Sequence, residues 1–481
     1  MNPEPIAIDL VPELAEEGAS QRIADLLSQA IFAALLTLMF LATVAYGGSD
    51  PWWKAFFTSA IFAVGIVGAV ELMLADKPRL QSFSLLLPLL ALVVFSFLQT
   101  IPISRSIAPS LGIQQPVWNA ISADPYETRI FALQLLALTV LTALLLRHAT
   151  TERRLRFLIH FIIALTVLSA VFGLLRQTTQ HDPGFGLPQL LPDQGYGQFI
   201  NKNHFAYLME MGFGLALGLV AAGGARRDRT LIYWAVMLPI WTALVLSNSR
   251  GGILAMVVQL VVTVLLFPTL DRNRDQDLEG GLLWRLVRAP AIRLALVVCL
   301  IAISVAGVLW IGGDRLASNI EAARTEFEKT ESRVGVNRTQ IWHWTLNMIA
   351  DHPFAGVGMA GYWTAFPAYH DASGTMTPQQ AHNDYLELIA SGGVIGLAIF
   401  AWFLVLVRRR TRANLRADSS FRRAASFAAV IALTGVAVHS LVDFGLHRML
   451  LAMTFMALIV IATADVELEP IEEVDEVDDY L

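Results

Sequence analysis

The chain has 481 residues, 55% of them hydrophobic and only 15% charged, with a mean hydropathy of +0.57 and a formal net charge of −6. This composition excludes a water-soluble globule with an ordinary polar surface and points to an integral membrane protein. No nucleic-acid partner is expected.

Apolar runs long enough to cross about 30 Å of hydrocarbon, about 20 residues as a helix, recur from end to end. They lie near 27–46, 55–74, 83–101, 130–147, 155–175, 204–222, 231–247, 251–267, 291–311, 383–407, 424–441 and 448–464. The fold class they predict is all-α: a polytopic membrane protein of about twelve transmembrane helices, with one membrane domain over 27–464. Residues 1–26 and 465–481 read as acidic tails, solvated and disordered. The first 25 residues sum to −5 and 465–481 to −9, which leaves +8 for the part between. The first apolar run follows acids and no small-residue cleavage site comes after it, so it reads as an uncleaved span.

The inter-helix segments alternate in basic content. Segments 75–82, 147–156, 223–230, 268–293 and 408–423, with Arg22, hold 22 of the 34 Lys and Arg, and basic loops stay on the cytoplasmic side. Both termini are then cytoplasmic. The loops 47–54, 102–129, 176–203, 248–250, 312–382 and 442–447 face outward, and the residues suited to chemistry fall there: His181, Lys202, His204, Arg250, Arg338, His382 and Asp443.

In chain order, Lys202 and His204 form a basic outer edge at the entry to the sixth span, suited to a phosphate or to lipid headgroups. Arg250 stands in Ser249-Arg250-Gly251-Gly252, a minimal outer turn. Its glycines expose amides and its guanidinium suits bidentate phosphate contact, while a snorkelling arginine is the bland alternative. Cys299, the single cysteine, excludes an intramolecular disulfide and any multi-thiolate metal site.

The segment 312–382 is too long to be a mere connection and is expected to be a large periplasmic loop. Leu316, Ile320, Ala323 and Phe327 are spaced as one face of an amphipathic helix. A second helix starts near Arg338, carries Trp342 and Trp344, and stops at Asp351-His352-Pro353. Arg338 either binds a ligand phosphate or lies along headgroups.

His382 closes this loop, placed by the pattern on the first turn of the next span. Helical spacing runs from it through Leu386, Ile389, Gly393 and Gly396, a stripe that allows close approach of a neighbouring helix. The positive helix terminus disfavours imidazolium and attracts anions, the setting of a general base; an interfacial capping histidine is the structural alternative. Glu387 and Asp443 are acids near the outer boundary, where acids are paired or functional. The His and acid spacings form no recognisable metal site.

These motifs together resemble the bacterial O-antigen ligase and O-antigen polymerase family. Its ligase pattern is His, then Asn, Ser or Gln, nine residues, Gly, two residues, and Gly, Thr or Tyr; His382-Asn383, Gly393 and Gly396 match it fully. Flanking resemblance includes Asn201 to Ala206, Ser249 to Gly252, Arg338 to Trp342 and Asp351 to Gly358, so it covers about 199 to 445.

The resemblance implies a metal-independent glycosyltransferase of the bacterial inner membrane with no cofactor and a periplasmic active site. It would move a glycan from a polyprenyl (undecaprenyl) diphosphate carrier to a hydroxyl on a glycan, a lipid A core or a protein. His382 would be the catalytic base, and Arg250 and Arg338 would bind the diphosphate. Lys202, His204, Asn383 and Asp443 are candidate substrate-binding residues. A lipid-linked glycan flippase and a non-catalytic assembly partner are the competing readings. Against a flippase stand the lack of internal repeats and the scarcity of mid-membrane charge.

Overall fold

A computed structural model of the chain describes residues 10–75, 83–102, 120–149, 151–182, 187–192, 194–224, 229–266, 338–370 and 378–465. Among these the secondary structure is helical, apart from two isolated bridges, Pro102 with Ala120 and Tyr196 with Phe199. We number the helices α1 Leu10–Val44, α2 Pro51–Leu74, α3 Leu86–Gln99, α4 Pro125–His148, α5 Glu152–Thr179, α6 Lys202–Ala221 and α7 Thr230–Leu246. Then follow α8 Arg250–Leu266, α9 Arg338–Asp351, α10 Tyr362–Ala365, α11 Asp384–Asn414, α12 Ser420–His439 and α13 Met449–Thr463.

Seven of them are long and apolar enough to cross a membrane: α1, α2, α4, α5, α6, α11 and α12. The runs expected at 83–101, 231–247, 251–267 and 448–464 are shorter apolar helices, and the run at 291–311 lies outside the described residues, as do Cys299 and the amphipathic pattern at 316–327. Large apolar side chains such as Met73, Leu231 and Leu238 face outward on the bundle. In water that surface would be an aggregation hazard; in lipid it is the outer wall.

Polar caps start the helices where the sequence supplies them. Asp124 accepts from the Glu127 amide ahead of Pro125, Thr151 from Arg154, and Ser419 from Arg422. Helix α1 begins at Leu10 and runs unbroken into the first span. Leu10, Leu14, Ile23 and Leu26 keep helical spacing among the acids.

The centre of the bundle is α6 against α12, flanked by α8 and α13. Every residue of α6 from His204 to Leu219 is buried. Tail-to-tail lipid contact gives helices no hydrophobic reason to associate, so close packing of small residues does this work. A Cβ on Gly214 would stand 2.6 Å from the Ala432 Cα, and one on Gly218 2.3 Å from the Ala428 Cα. Buried Gln259 of α8 then ties all three helices together by donating to Glu210 O at 2.9 Å and Ile431 O at 3.1 Å.

Helix α11 is not continuous. Gly393 has φ +59° and ψ −158°, non-helical values that break it about two and a half turns after Asp384. The break frees backbone groups that a membrane cannot hydrate, and the segment after α9 takes them up. Val394 N donates to Pro353 O at 2.8 Å and Ile395 N to Phe354 O at 3.1 Å, while Val357 N and Gly358 N donate to Ala390 O and Ser391 O at 2.9 and 3.0 Å. Gln99, buried at the end of α3, clamps this joint: its amide donates to Ala355 O at 2.7 Å and Ser391 O at 3.0 Å and accepts from Met359 N at 3.0 Å. The stripe expected to run from His382 to Gly396 is therefore interrupted, and Gly393 serves a loop inserted into its own helix.

Candidate functional site

The site is assembled where α6, α8, α9, α11 and the turn between α12 and α13 end together. Its centre is Asp443, 1% exposed, in that last turn. Each carboxylate oxygen carries one hydrogen bond and faces one basic side chain. Oδ2 accepts from the Asn203 amide and faces the Arg338 guanidinium at 3.7 Å. Oδ1 accepts from Phe444 N at 2.9 Å and faces His382 Nδ1 at 3.7 Å, ion-pair range and too long for a hydrogen bond. Burial alone would push this carboxyl up, but the facing imidazole and the Phe444 amide outweigh it and hold it down at about 2. It is a carboxylate wherever the protein is folded and active.

His382 does not stand on the first helical turn. It precedes the N-cap and has φ +50°, left-handed backbone that costs a non-glycine residue about 1–2 kcal/mol. The backbone is pinned on both sides of it, at Ala381 and at Asp384, which holds it there. Ala381 N donates to Glu387 Oε2 at 2.9 Å, Ala381 O accepts from Trp342 Nε1 at 3.0 Å, and Asp384 N donates to Ser440 O at 3.0 Å. Strain retained by surrounding structure is a mark of functional positions. The ring lies edge-on against Phe444, centroids 4.8 Å apart. Nδ1 is buried toward Asp443, so Nε2 is the nitrogen left to a substrate.

Asn383, a candidate substrate contact by sequence, is the N-cap of α11: its side-chain oxygen accepts from Tyr385 N and Leu386 N, both at 3.0 Å. His204 is 2% exposed, with its ring edge-on against Phe444 at 5.3 Å, so it is buried within the site. His181 is exposed beyond the end of α5.

Lys202 is exposed at the start of α6, close enough for the charges of Arg250 and Arg338 to act on it. The Arg250 turn is built by Ser247 capping α7, Asn248 at φ +57°, and Ser249 Oγ accepting from Gly252 N at 3.3 Å. Gly251 lets that turn lie on the end of α12, since a Cβ there would meet the His439 ring at 2.6 Å. A cavity of about 230 Å³ opens beside Lys202, lined by Gln177, Gln180, Gln194, Tyr196 and Asn248 among others.

Three basic side chains, an imidazole and a fixed carboxylate thus share one end of the bundle. Such a set can hold a polyanion and take up a proton beside it. Sequence reasoning missed Asn203, although it lies inside the quoted Asn-Lys-Asn-His segment, and missed Phe444 and Gln99 entirely.

Residues 234–401 match the family model described as O-antigen ligase, which takes in Arg250, Arg338 and His382 and ends before Asp443. The match supports assignment of the chain to the O-antigen ligase/polymerase family, and with the apolar helices it describes a membrane protein with a role in surface polysaccharide assembly. No curated protein matches the chain.

Proposed function

We propose that this chain, with an O-antigen ligase match over 234–401, is a glycosyltransferase that moves a glycan from a polyprenyl diphosphate to an acceptor hydroxyl. The site faces the periplasm, and both termini face the cytoplasm. The observation that carries the reading is the shared carboxylate: Arg338 and His382 stand 3.7 Å from opposite oxygens of one buried Asp443. A phosphate-binding guanidinium and a base are thereby fixed in one frame.

In the reaction the acceptor oxygen attacks the anomeric carbon, and the bond from that carbon to the diphosphate oxygen breaks with inversion. His382 Nε2 takes the acceptor proton, and Asp443 stabilises the imidazolium that results. Arg338, Arg250 and Lys202 take the charge that grows on the departing diphosphate. The products are the extended glycan and free polyprenyl diphosphate, in equal amounts. Lipid-linked glycan, lipid A core and protein hydroxyls all fit this chemistry as acceptors.

The test is transfer by the purified chain in lipid, supplied with polyprenyl-diphosphate glycan and acceptor. His382→Ala is expected to lose about 10²–10⁴-fold in rate and Arg338→Ala about 10²–10³-fold. Undiminished transfer in either variant would overturn the reading, and carrier movement across the bilayer without bond formation would replace it with a flippase.

A further inference from the structure

A buried carboxylate and a buried imidazole that take no part in the mechanism above lie between α6 and α12. Glu210 is fully buried, and His439, the last residue of α12, is 1% exposed. His439 Nδ1 donates to Glu210 Oε2 at 3.0 Å. Tyr207, about one turn before Glu210, is stacked on the imidazole at 4.0 Å with 8° between the planes. The ring is therefore held on one face and one edge by α6.

For holding the two helices together this pair is poorly suited. Glu210 Oε1 and His439 Nε2 are buried with no hydrogen-bond partner, and a buried polar pair with unmet atoms returns little stability compared with apolar residues of similar size. Farther along the same seam, close packing is supplied by Gly214 on Ala432 and Gly218 on Ala428. A buried polar pair is suited instead to fixing one register of the elements it joins.

Three parts of the site hang on the residues it fixes. His439 O accepts from Val442 N at 2.9 Å and from Asp443 N at 3.1 Å, so the turn that carries the central carboxylate starts there. The free edge of the ring faces the Arg250 turn, where a Cβ on Gly251 would stand 2.6 Å from both Cδ2 and Nε2. Ser440, the next residue, accepts from Asp384 N at 3.0 Å and donates to Asp384 Oδ2 at 2.7 Å, which pins the backbone that follows His382. The Tyr207 hydroxyl lies 3.2 Å from Ser440 Oγ, so α6 reaches this second residue as well. Arg250, Asp443 and His382 come from three separate segments, and His439 with Ser440 is the support they share.

We propose that Glu210 and Tyr207 are positioning residues: by locking His439 and Ser440 they set the spacing of Arg250, Asp443 and His382. The consequence for rate rests on the transferase reading. A misplacement of about 1 Å at a reacting centre costs about 10²-fold, and a polar lock beneath three turns resists such a shift where small apolar residues would slide.

The experiment compares the parent chain with Glu210→Gln and Glu210→Leu in proteoliposomes supplied with polyprenyl-diphosphate glycan and acceptor. The Gln amide oxygen still accepts from His439 Nδ1, so Glu210→Gln should keep its single-turnover rate within about threefold of the parent. Glu210→Leu offers no acceptor and should lose about 10²-fold in that rate, with donor KM raised as the Arg250 turn loosens. Where Glu210→Leu does not fold, Glu210→Leu/His439→Leu takes its place, since it leaves no polar side chain unpaired and still lacks the lock. The spacing itself is read from the distance between spin labels at Leu254→Cys on α8 and Leu441→Cys after α12, both exposed, in a Cys299→Ser background. The distribution should be narrow in the parent and in Glu210→Gln, and broader in the Leu variant.

A Leu variant that transfers at the parent rate overturns the proposal, even if its melting midpoint falls, because the pair is then a stabiliser only. So does a Glu210→Gln variant that loses as much as the Leu variant, and so does an unchanged label distance. If the parent itself forms no product, the transferase reading falls by itself and the labels decide the positioning role. A distribution broadened in the Leu variant and restored in Glu210→Gln upholds it, and one that does not change removes it too.

Discussion

Replacing Asp443 by Asn isolates the charge at the centre of the site while keeping its shape. The side chain still accepts one of its two hydrogen bonds, from Phe444 N or from Asn203, so the fold is expected to survive with a loss of about 1 kcal/mol. What disappears is the negative charge 3.7 Å from His382 Nδ1 and from Arg338. Two unit charges about 4 Å apart interact by about 1 kcal/mol in water and about 4 kcal/mol at an effective dielectric near 20. The carboxylate is 1% exposed and the imidazole 31%, so the interaction lies between those limits. At about 1.4 kcal/mol per factor of ten, the chemical step should slow by roughly 10²-fold, within limits of about 5-fold and about 10³-fold. Single-turnover transfer from a preformed donor complex reads this step without substrate binding. A loss below about threefold would refute the role given to Asp443 as stabiliser of the imidazolium.

Gly393→Ala meets both a left-handed φ and the Phe354 carbonyl 2.3 Å from its Cβ, so it should unseat the inserted loop and lower thermal stability sharply; Gly396→Ala, whose Cβ meets nothing nearer than 3.9 Å, should be close to neutral. Equal effects would show that the helix break is not what Gly393 provides. Gln99→Leu leaves Ala355 O and Met359 N unpaired and Ser391 O with Gly358 N alone, at about 1–3 kcal/mol for each unpaired group before relaxation, and should drop the melting midpoint in detergent while donor KM in surviving protein stays unchanged. His382→Gly should be inactive yet more stable than His382→Ala by about 1 kcal/mol, because glycine adopts φ +50° without cost. The Asp443 carboxyl is held at about 2 against an ordinary 3.8, so its ionisation contributes stability that is full above 3.8 and lost as pH falls through about 2. The part of the gap in melting midpoint between parent and Asp443→Asn that comes from this ionisation should therefore close only below about pH 4.

His382, Arg250, Arg338 and Asp443 were legible because each combines an unusual residue type with an unusual place, a charge or imidazole where an apolar run starts or stops. Residue type and depth suffice for that. The partners were not legible, because they come from far along the chain: Gln99 reaches Ala355 and Ser391 over 256 and 292 positions, and Asn203 reaches Asp443 over 240. Phe444 carries no charge to draw attention, yet His382, His204, His447 and Arg448 all gather on its ring. The break at Gly393 is hidden for another reason. Glycines are ordinary in membrane helices, so a period of 3.6 extends through one without complaint, and only the backbone hydrogen bonds to 353–358 reveal the interruption. The first turn expected at His382 failed similarly, since Asn383 is the better N-cap and leaves the histidine outside.

The shared carboxylate also bears on the order of events. Arg338 on Oδ2 offsets part of the negative potential that Asp443 places on His382 at Oδ1. On the transferase reading, a donor diphosphate carries more negative charge than one carboxylate and draws the Arg338 guanidinium, whose side chain is 46% exposed, toward itself. The carboxylate, held by Asn203 and the Phe444 amide, cannot follow. Its field then falls more fully on His382, and the imidazole becomes the better proton acceptor when the leaving group is in place. On the transferase reading, this arrangement keeps the base weak toward water in the empty site and strong toward the acceptor once the donor is bound.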